Sequence, residues 1–243
     1  HNASKLIWDS DLRVEGLAFV KNSDFDSFQT ALIGGGFWVA EATEPAENLM
    51  LWGGQASATV PFNETGHVKA GASYYLLDQD ISTLPPFGMG GGNTVAGGTY
   101  AEDFGIAEVF AEAQSQIAED WTGTLFGSYV NNVEADNDRD TAYMVGGELG
   151  TVIKGKPVAF RYSWREIEAD AVLAAFNDSD FGGGGTDSRG HEFGVSVKPT
   201  KRTEVAVTYI KSEVGLDADD PASTKAGDED DYDRLQIDLK FKF

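Results

Sequence analysis

The feature that most limits what this chain can fold into is a two-residue alternation of apolar and polar side chains. The C-terminal segment is the clearest case. Residues Leu235, Ile237, Leu239, Phe241 and Phe243 fall on one face, and Gln236, Asp238, Lys240 and Lys242 on the other. Successive side chains of a β-strand point to opposite sides of its sheet, so the pattern predicts strands with one apolar and one polar face.

The alternation recurs along the chain with almost no helical periodicity between its repeats. We count about eleven such segments of roughly 10–14 residues, which is the length that a tilted membrane strand needs. Strands of soluble sandwiches are usually shorter, at about 5–6 residues. The predicted strands lie near 11–21, 27–40, 48–60, 66–78, 102–114, 120–132, 141–153, 157–168, 190–198, 202–212 and 232–243.

The predicted connections alternate between short and long. Short turns are expected near 61–66, 116–120, 154–156 and 199–202, and long polar loops near 41–47, 78–100, 131–140, 169–190 and 212–231. Sorting of loop length by end is typical of outer-membrane barrels, whose periplasmic turns are short and whose extracellular loops are long. The predicted fold is therefore an all-β, transmembrane, antiparallel up-and-down β-barrel with about 11–12 strands in this chain.

Composition narrows the function classes further. The formal net charge is −22, which disfavours binding to nucleic acid because its phosphate backbone is also negative. There is no cysteine, so neither disulfides nor cysteine-based metal sites can form. No run of 18 apolar residues is present, which rules out a helical membrane span.

The polar face of the predicted barrel carries charges of both signs. The candidate pore-lining residues are Lys69, Glu108, Glu112, Glu148, Arg161, Arg165, Asp238 and Lys240. In a wide barrel they would line water and sort solutes by charge, whereas in a narrow one they would pair and fill the interior. Both readings stay open at this point.

Much of the negative charge lies in the long loops, for example at Asp178, Asp180 and Asp187 and between residues 217 and 233. Such loops could bind divalent cations and bridge to lipopolysaccharide phosphates. The alternative is a solvated acidic rim, since no loop has the glycine and glutamate spacing of a calcium-binding loop. No cofactor or metal is expected.

Nothing in the sequence provides an anchor for catalysis. The three histidines, His1, His67 and His191, belong to no zinc-hydrolase motif, and no nucleophile-elbow motif occurs. We therefore expect no enzymatic activity. A different kind of feature is the unusually apolar loop 84–93, which could either fold into the lumen or pack on a neighbouring subunit.

The strand count raises a question about completeness. If the last strand ends on the periplasmic side, eleven strands place the start of the first one outside the cell, whereas closed bacterial barrels have an even number. Two explanations are open: residues 1–243 are one barrel domain that lacks N-terminal strands, or one strand has been missed.

Four stretches of the sequence resemble known proteins. Residues 232–243 are similar to the C-terminal assembly signal of outer-membrane proteins, with alternate apolar residues and a terminal aromatic. Residues 6–16, 168–173 and 176–187 resemble the bacterial putative-porin family, and the likeness extends over nearly the whole chain. The resemblance implies a porin role and a longer N-terminus, but no particular solute.

The sequence therefore predicts a porin-like channel in the bacterial outer membrane for passive diffusion of small polar solutes or ions. The alternative is a non-conducting structural or surface-interaction barrel whose acidic loops carry the function. Expected partners are outer-membrane lipid, lipopolysaccharide, the solutes themselves and, in a homo-oligomer, further copies of the chain. Stepwise conductance in planar bilayers separates the two functions, and a requirement for detergent separates both from a soluble β-sandwich.

Overall fold

The fold is a single large antiparallel sheet. This computed structural model describes residues 4–40, 49–78, 81, 91–216, 225 and 230–242. Its strands are β1 (Glu15–Asp24), β2 (Gln29–Ala40), β3 (Leu49–Pro61), β4 (His67–Leu77), β5 (Val95–Ala96), β6 (Thr99–Tyr100), β7 (Gly105–Ala118), β8 (Trp121–Asn132), β9 (Thr141–Ile153), β10 (Lys156–Ile167), β11 (Ser188–Thr200), β12 (Thr203–Val214) and β13 (Asp230–Phe241).

Eleven of these strands form the sheet in chain order, β1-β2-β3-β4-β7-β8-β9-β10-β11-β12-β13, with each one antiparallel to the next. They are 10–14 residues long, so the predicted count, length and up-and-down order are confirmed. The short hairpin of β5 and β6, and a 3-10 turn at Ala174–Phe176, were not predicted. Within the described residues, β1 and β13 each pair with a single neighbour, and no helix is long and apolar enough to cross a membrane.

Loop length is sorted by end, as predicted. The turns at one end, here called the turn end, span residues 25–28, 62–66, 119–120, 154–155 and 201–202. The opposite end, called the loop end, carries the connections 41–48, 78–104, 133–140, 168–187 and 215–229. One boundary prediction was wrong: the first strand begins at Glu15 rather than near residue 11, because Asp9–Leu12 form a turn that starts with the Asp9 carboxylate accepting the Asp11 N–H.

One face of the sheet is apolar and exposed. Leu125 on β8 is 71% exposed and Ile237 on β13 is 69% exposed, although both lie in the middle of long strands. Exposed aromatic residues gather toward both strand ends, at Trp38, Trp52, Tyr74, Tyr129 and Tyr143 near the loop end and at Phe25, Phe28, Phe62, Trp121 and Phe241 near the turn end. An apolar band between two aromatic girdles is the outer surface of a membrane barrel.

The opposite, inner face is rolled around the N-terminal segment. Trp8 packs edge-on against Tyr75 of β4 with 4.9 Å between ring centroids, while Lys5 bonds to Glu192 of β11 at 2.7 Å. Strands β4 and β11 are separated by four intervening strands, so contacts from one short segment to both require a curved sheet. This segment and two loop segments fill part of the interior. We call residues 4–9, 91–94 and 168–187 the inner plug.

Toward the loop end the inner face becomes apolar and packs against the inner plug. Strand residues Leu51, Leu77, Ile106, Val130, Ala142 and Ile167 form one buried cluster with Leu6, Ile7, Val172 and Leu173 of the plug. Burying apolar surface stabilises by about 25 cal/mol per Å². The plug is therefore held by a continuous apolar contact rather than by isolated bonds.

Charged substitutions on the two faces of the sheet test which face contacts lipid. Leu125→Arg places a cation at the level of the apolar band and is expected to lower the free energy of unfolding by about 2–4 kcal/mol. Thr124→Arg, one residue earlier on the inner face, should cost about 1 kcal/mol or less, chiefly through the lost bond to Gln114. Urea unfolding of protein inserted in lipid vesicles measures both, and equal losses would contradict the assignment.

Candidate functional site: the inner face and its plug

The eight charged residues predicted to line a pore all lie on the inner face, spread over strands β4, β7, β9, β10 and β13. The register places Lys69 opposite Glu112 and Arg161 opposite Glu148, while Glu108 faces Ser73. Toward the turn end these side chains are partly exposed. Toward the loop end, Glu108 and Arg165 are buried beneath the inner plug, at 2% and 1% exposure. Pore lining by the exposed members stays a prediction.

The two cations in the middle of the inner face, Lys69 and Arg161, each lie over an aromatic ring. The Lys69 Nζ lies 5.8 Å from the centroid of the Phe110 ring, and the Arg161 guanidinium lies 4.3 Å from that of Phe126. Arg161 also reaches Glu148 at 3.7 Å, a loose and half-exposed ion pair. Cation–π contacts of this kind fix a flexible charge at a defined place on the wall.

Nearer the turn end the charges are more open to solvent. Lys240 is 3.9 Å from Glu204 and its side chain is 68% exposed. Asp238 accepts both hydrogen bonds of the Gln236 amide, at 3.1 and 3.2 Å. The inner wall at this end is therefore polar, charged in both signs and accessible to water.

At the loop end, Arg165 is the centre of a buried ion cluster that connects the wall to the inner plug. Its Nη2 bonds to Asp178 at 2.7 Å and approaches Glu192 at 3.4 Å, while its Nη1 donates to the Lys5 carbonyl. The guanidinium also stacks 3.8 Å from the centroid of Phe181. Lys5 completes the cluster by bonding both oxygens of Glu192.

The N-terminal segment is held by further bonds to the 168–187 loop. The Asn177 amide donates to the Leu6 carbonyl at 2.6 Å, and the Asp9 N–H donates to the Phe176 carbonyl at 2.7 Å. The Asp9 carboxylate accepts the Ser179 N–H at 2.9 Å. Hydrogen bonding from the Ser179 side chain lowers the pKa of Asp9 below its ordinary value of 3.8.

A buried amide and carboxylate network, which was not predicted from the sequence, organises the rest of the plug. Asn93 donates to the carbonyls of Ala169 and Val172, and its own carbonyl accepts the Ala174 N–H. Asp170, fully buried, accepts bonds from the Thr94 hydroxyl and N–H. The sequence offered one signal that could have found this: the apolar stretch Ala171–Phe176, which is unusual for a long polar loop.

The close contact between Gly185 and Gly91 within the plug leaves no room for a side chain at position 185. Gly182, Gly183, Gly184 and Gly185 all have positive φ, and a Cβ on Gly185 would lie 1.8 Å from the Gly91 carbonyl oxygen. That carbonyl accepts the Thr186 N–H at 2.9 Å.

Loop 84–93 was expected either to enter the lumen or to contact a neighbouring subunit. Residues 84–90 of this loop lie outside the described part of the chain. Its remaining residues, Gly91–Asn93, belong to the plug.

Several of the described acidic residues of the loops bind other parts of the protein. Asp178 pairs with Arg165 and Asp180 with Arg234 at 2.7 Å. Burial raises the pKa of Asp180, although Arg234 acts in the opposite direction. Among the residues that the structure describes, no group of three acidic or histidine side chains is placed to hold a metal ion. Residues 217–220 and 226–229 of the most acidic loop lie outside that part of the chain.

Comparison with known families identifies the group to which the fold belongs. A family model described as "Putative porin" matches residues 100–243, which is more than half of the chain. The chain belongs to the putative porin family. The apolar outer band, the polar inner wall and the sorted loops are thus those of a porin-type transmembrane β-barrel. Residues 6–16, which carried part of the resemblance, lie outside the matched range.

Solved structures with a match include one titled "KdgM porin in complex with disordered oligogalacturonate". It is 10% identical, covers 93% of this chain and 91% of its own, and superposes with a TM-score of 0.39. A search of curated proteins found no match.

Arg165 should be far more important for stability than Arg161. Arg165→Met leaves the buried Asp178 carboxylate without its cation and leaves Glu192 with Lys5 alone, at an expected cost of about 3–5 kcal/mol in the free energy of unfolding. Arg161→Met removes a half-exposed pair and should cost no more than about 1 kcal/mol. Urea unfolding in detergent micelles compares the two, and similar losses would argue against the buried cluster.

Acid should loosen the N-terminal segment before the barrel unfolds. The pKa of Asp9 is lowered in the folded state, so its contribution is fully present above the ordinary value of 3.8 and is lost as the pH falls through the folded value. The protection of the amides of residues 4–12 against hydrogen exchange, measured relative to the intrinsic exchange rate at each pH, is expected to fall as the pH drops below about 3.8. In Asp9→Asn this acid-dependent part should be reduced, and an unchanged pH profile in that variant would contradict the assignment.

Proposed function

We propose that this protein is an outer-membrane channel for the passive diffusion of small polar solutes or ions. The observation that supports it best is the division of the inner face. Its turn half carries mixed charges that are at least partly exposed, at Lys69, Glu112, Glu148, Arg161 and Lys240, which is the lining expected next to water. The outer face is apolar in the middle of the same strands.

The loop half of the interior determines how wide such a path can be. The inner plug packs on the apolar loop-end part of the inner face and is bound there by Arg165, so it narrows the interior where the strands reach the long loops. A narrow constriction favours small solutes over large ones, because permeation then depends on pore diameter and on the charges next to it. Small polar molecules and simple ions fit this arrangement.

The same plug supports a second candidate function, a non-conducting barrel used for structure or surface interaction. Leu6, Ile7, Val172 and Leu173 are at most 1% exposed, as in a packed protein core. If the packing closes the path completely, the acidic loops become the functional surface. Divalent cations and lipopolysaccharide are then the partners to examine, and the outer membrane is the proposed location in either case.

Planar-bilayer recording of the purified chain separates the two candidates. The channel proposal expects stepwise conductance in KCl and, across a KCl gradient, a reversal potential that Arg161→Met shifts toward cation preference. Arg161 suits this test better than Arg165, whose loss also releases the plug. Arg189→Met is the matched control, because it removes the same charge from the outer face, where Arg189 pairs with Glu213, and should cause no shift.

Two outcomes of this recording would count against the channel. Absence of steps from folded protein would leave the non-conducting barrel. Equal shifts in Arg161→Met and Arg189→Met would mean that Arg161 does not face the conduction path.

A further inference from the structure

Directly beneath the inner plug lies a small cavity in the inner wall. It has a volume of about 110 Å³, and its lining includes Lys5 of the plug and, from the wall, Lys69, Glu112, Ser128 and Arg161. A space of this size holds several water molecules or one compact polar group. It lies where the open, charged part of the interior meets the plug.

The charge around the cavity is opposite in sign to that of the whole protein. Three cations, Lys5, Lys69 and Arg161, line it with a single carboxylate, Glu112, whereas the chain carries a net charge of −22. Lys5 is already bonded to Glu192. Within the described residues Lys69 has no carboxylate partner, and the nearest carboxylate of Arg161 is 3.7 Å away.

The orientation of the two wall cations is also informative. The register places Lys69 directly opposite Glu112, but its ammonium lies over Phe110, which is one row closer to the plug. Arg161, opposite Glu148, likewise stacks over Phe126, again one row closer to the plug. Both charges are thereby moved away from the carboxylates of their own rows and toward the cavity.

Two polar atoms of the lining have no hydrogen-bond partner. Both the Ser128 Oγ and the Arg161 Nε are buried and unpaired. Buried polar atoms in folded proteins are nearly always hydrogen-bonded, so two exceptions that belong to one cavity lining need an explanation. A guanidinium with a free Nε can offer a planar pair of N–H donors, a geometry that matches a carboxylate or phosphate.

We propose that this cavity is a binding site for a compact oxyanion, the carboxylate or phosphate group of a small solute in the lumen. Arg161 and Lys69 supply the positive charge and Ser128 a hydroxyl donor. Glu112 opposes binding and keeps it weak, as a site on a diffusion path requires if solutes are to leave again. The proposal rests on the proposed function in one respect, namely that the solute reaches the cavity through a water-filled lumen.

Calorimetry of the full chain in detergent tests the site without relying on conduction, with sodium acetate and inorganic phosphate as separate probes. Saturable binding is expected for at least one of them, and which one identifies the source of the oxyanion. Arg161→Lys and Lys69→Met should each weaken it about tenfold, since a hydrogen bond to a charged group is lost. Arg189→Met, which removes a charge from the outer face, should leave the affinity unchanged.

Glu112→Gln is the decisive variant, because it should tighten binding of the probe, and a general disturbance of the fold would not do so.

Conductance is then recorded with and without the probe. Bound probe should lower the current saturably. Binding without any conductance would retain the site and overturn the channel. Conductance without binding of either probe, or weaker binding in Glu112→Gln, would overturn the site and leave the channel standing.

Discussion

The constraint on which the whole structure depends is that backbone N–H and C=O groups within hydrocarbon must bond to one another, since no water is available there. Eleven antiparallel strands, β1 to β4 and β7 to β13, satisfy these groups between neighbours. The alternation of side chains then places every second residue against lipid. Leu235, Ile237 and Leu239 are exposed for this reason, although they are among the most apolar residues of the chain.

The interior of the sheet has two regions with different physical roles. Toward the turn end, charges of both signs stand on the inner face and are open to water. Toward the loop end, the same face is lined by Leu51, Leu77, Ile106, Val130 and Ile167, and these residues bury the inner plug. The boundary between the regions contains Arg165 with its two carboxylate partners, and next to it the cavity with Lys69 and Arg161. In the proposed channel, this boundary is where conduction and selectivity are decided.

The sequence was sufficient to predict the eleven strands of the sheet, their order and the sorted loops, because all of these follow from local periodicity. It was not sufficient for the plug, since the contact between Lys5 and Glu192 joins residues 187 positions apart. The first strand was placed too early for the same reason: residues 9–12 form a turn, and Asp9 at its start is bonded to Phe176 and Ser179 of a loop distant in sequence. Arg165 could be assigned to the inner face, but not to a buried cluster, because Asp178 reaches it from a loop.

The absence of native cysteine allows the central claim, that alternate residues meet lipid and water, to be tested by single-cysteine scanning of β13. Each position from Leu235 to Phe241 is replaced in turn, and the labelled protein in vesicles is exposed to a lipid-soluble and to a water-soluble quencher. The account predicts a strict period of two, with positions 235, 237, 239 and 241 quenched from lipid and 236, 238 and 240 from water. Uniform quenching along the strand, or odd positions protected from the lipid quencher, would contradict it.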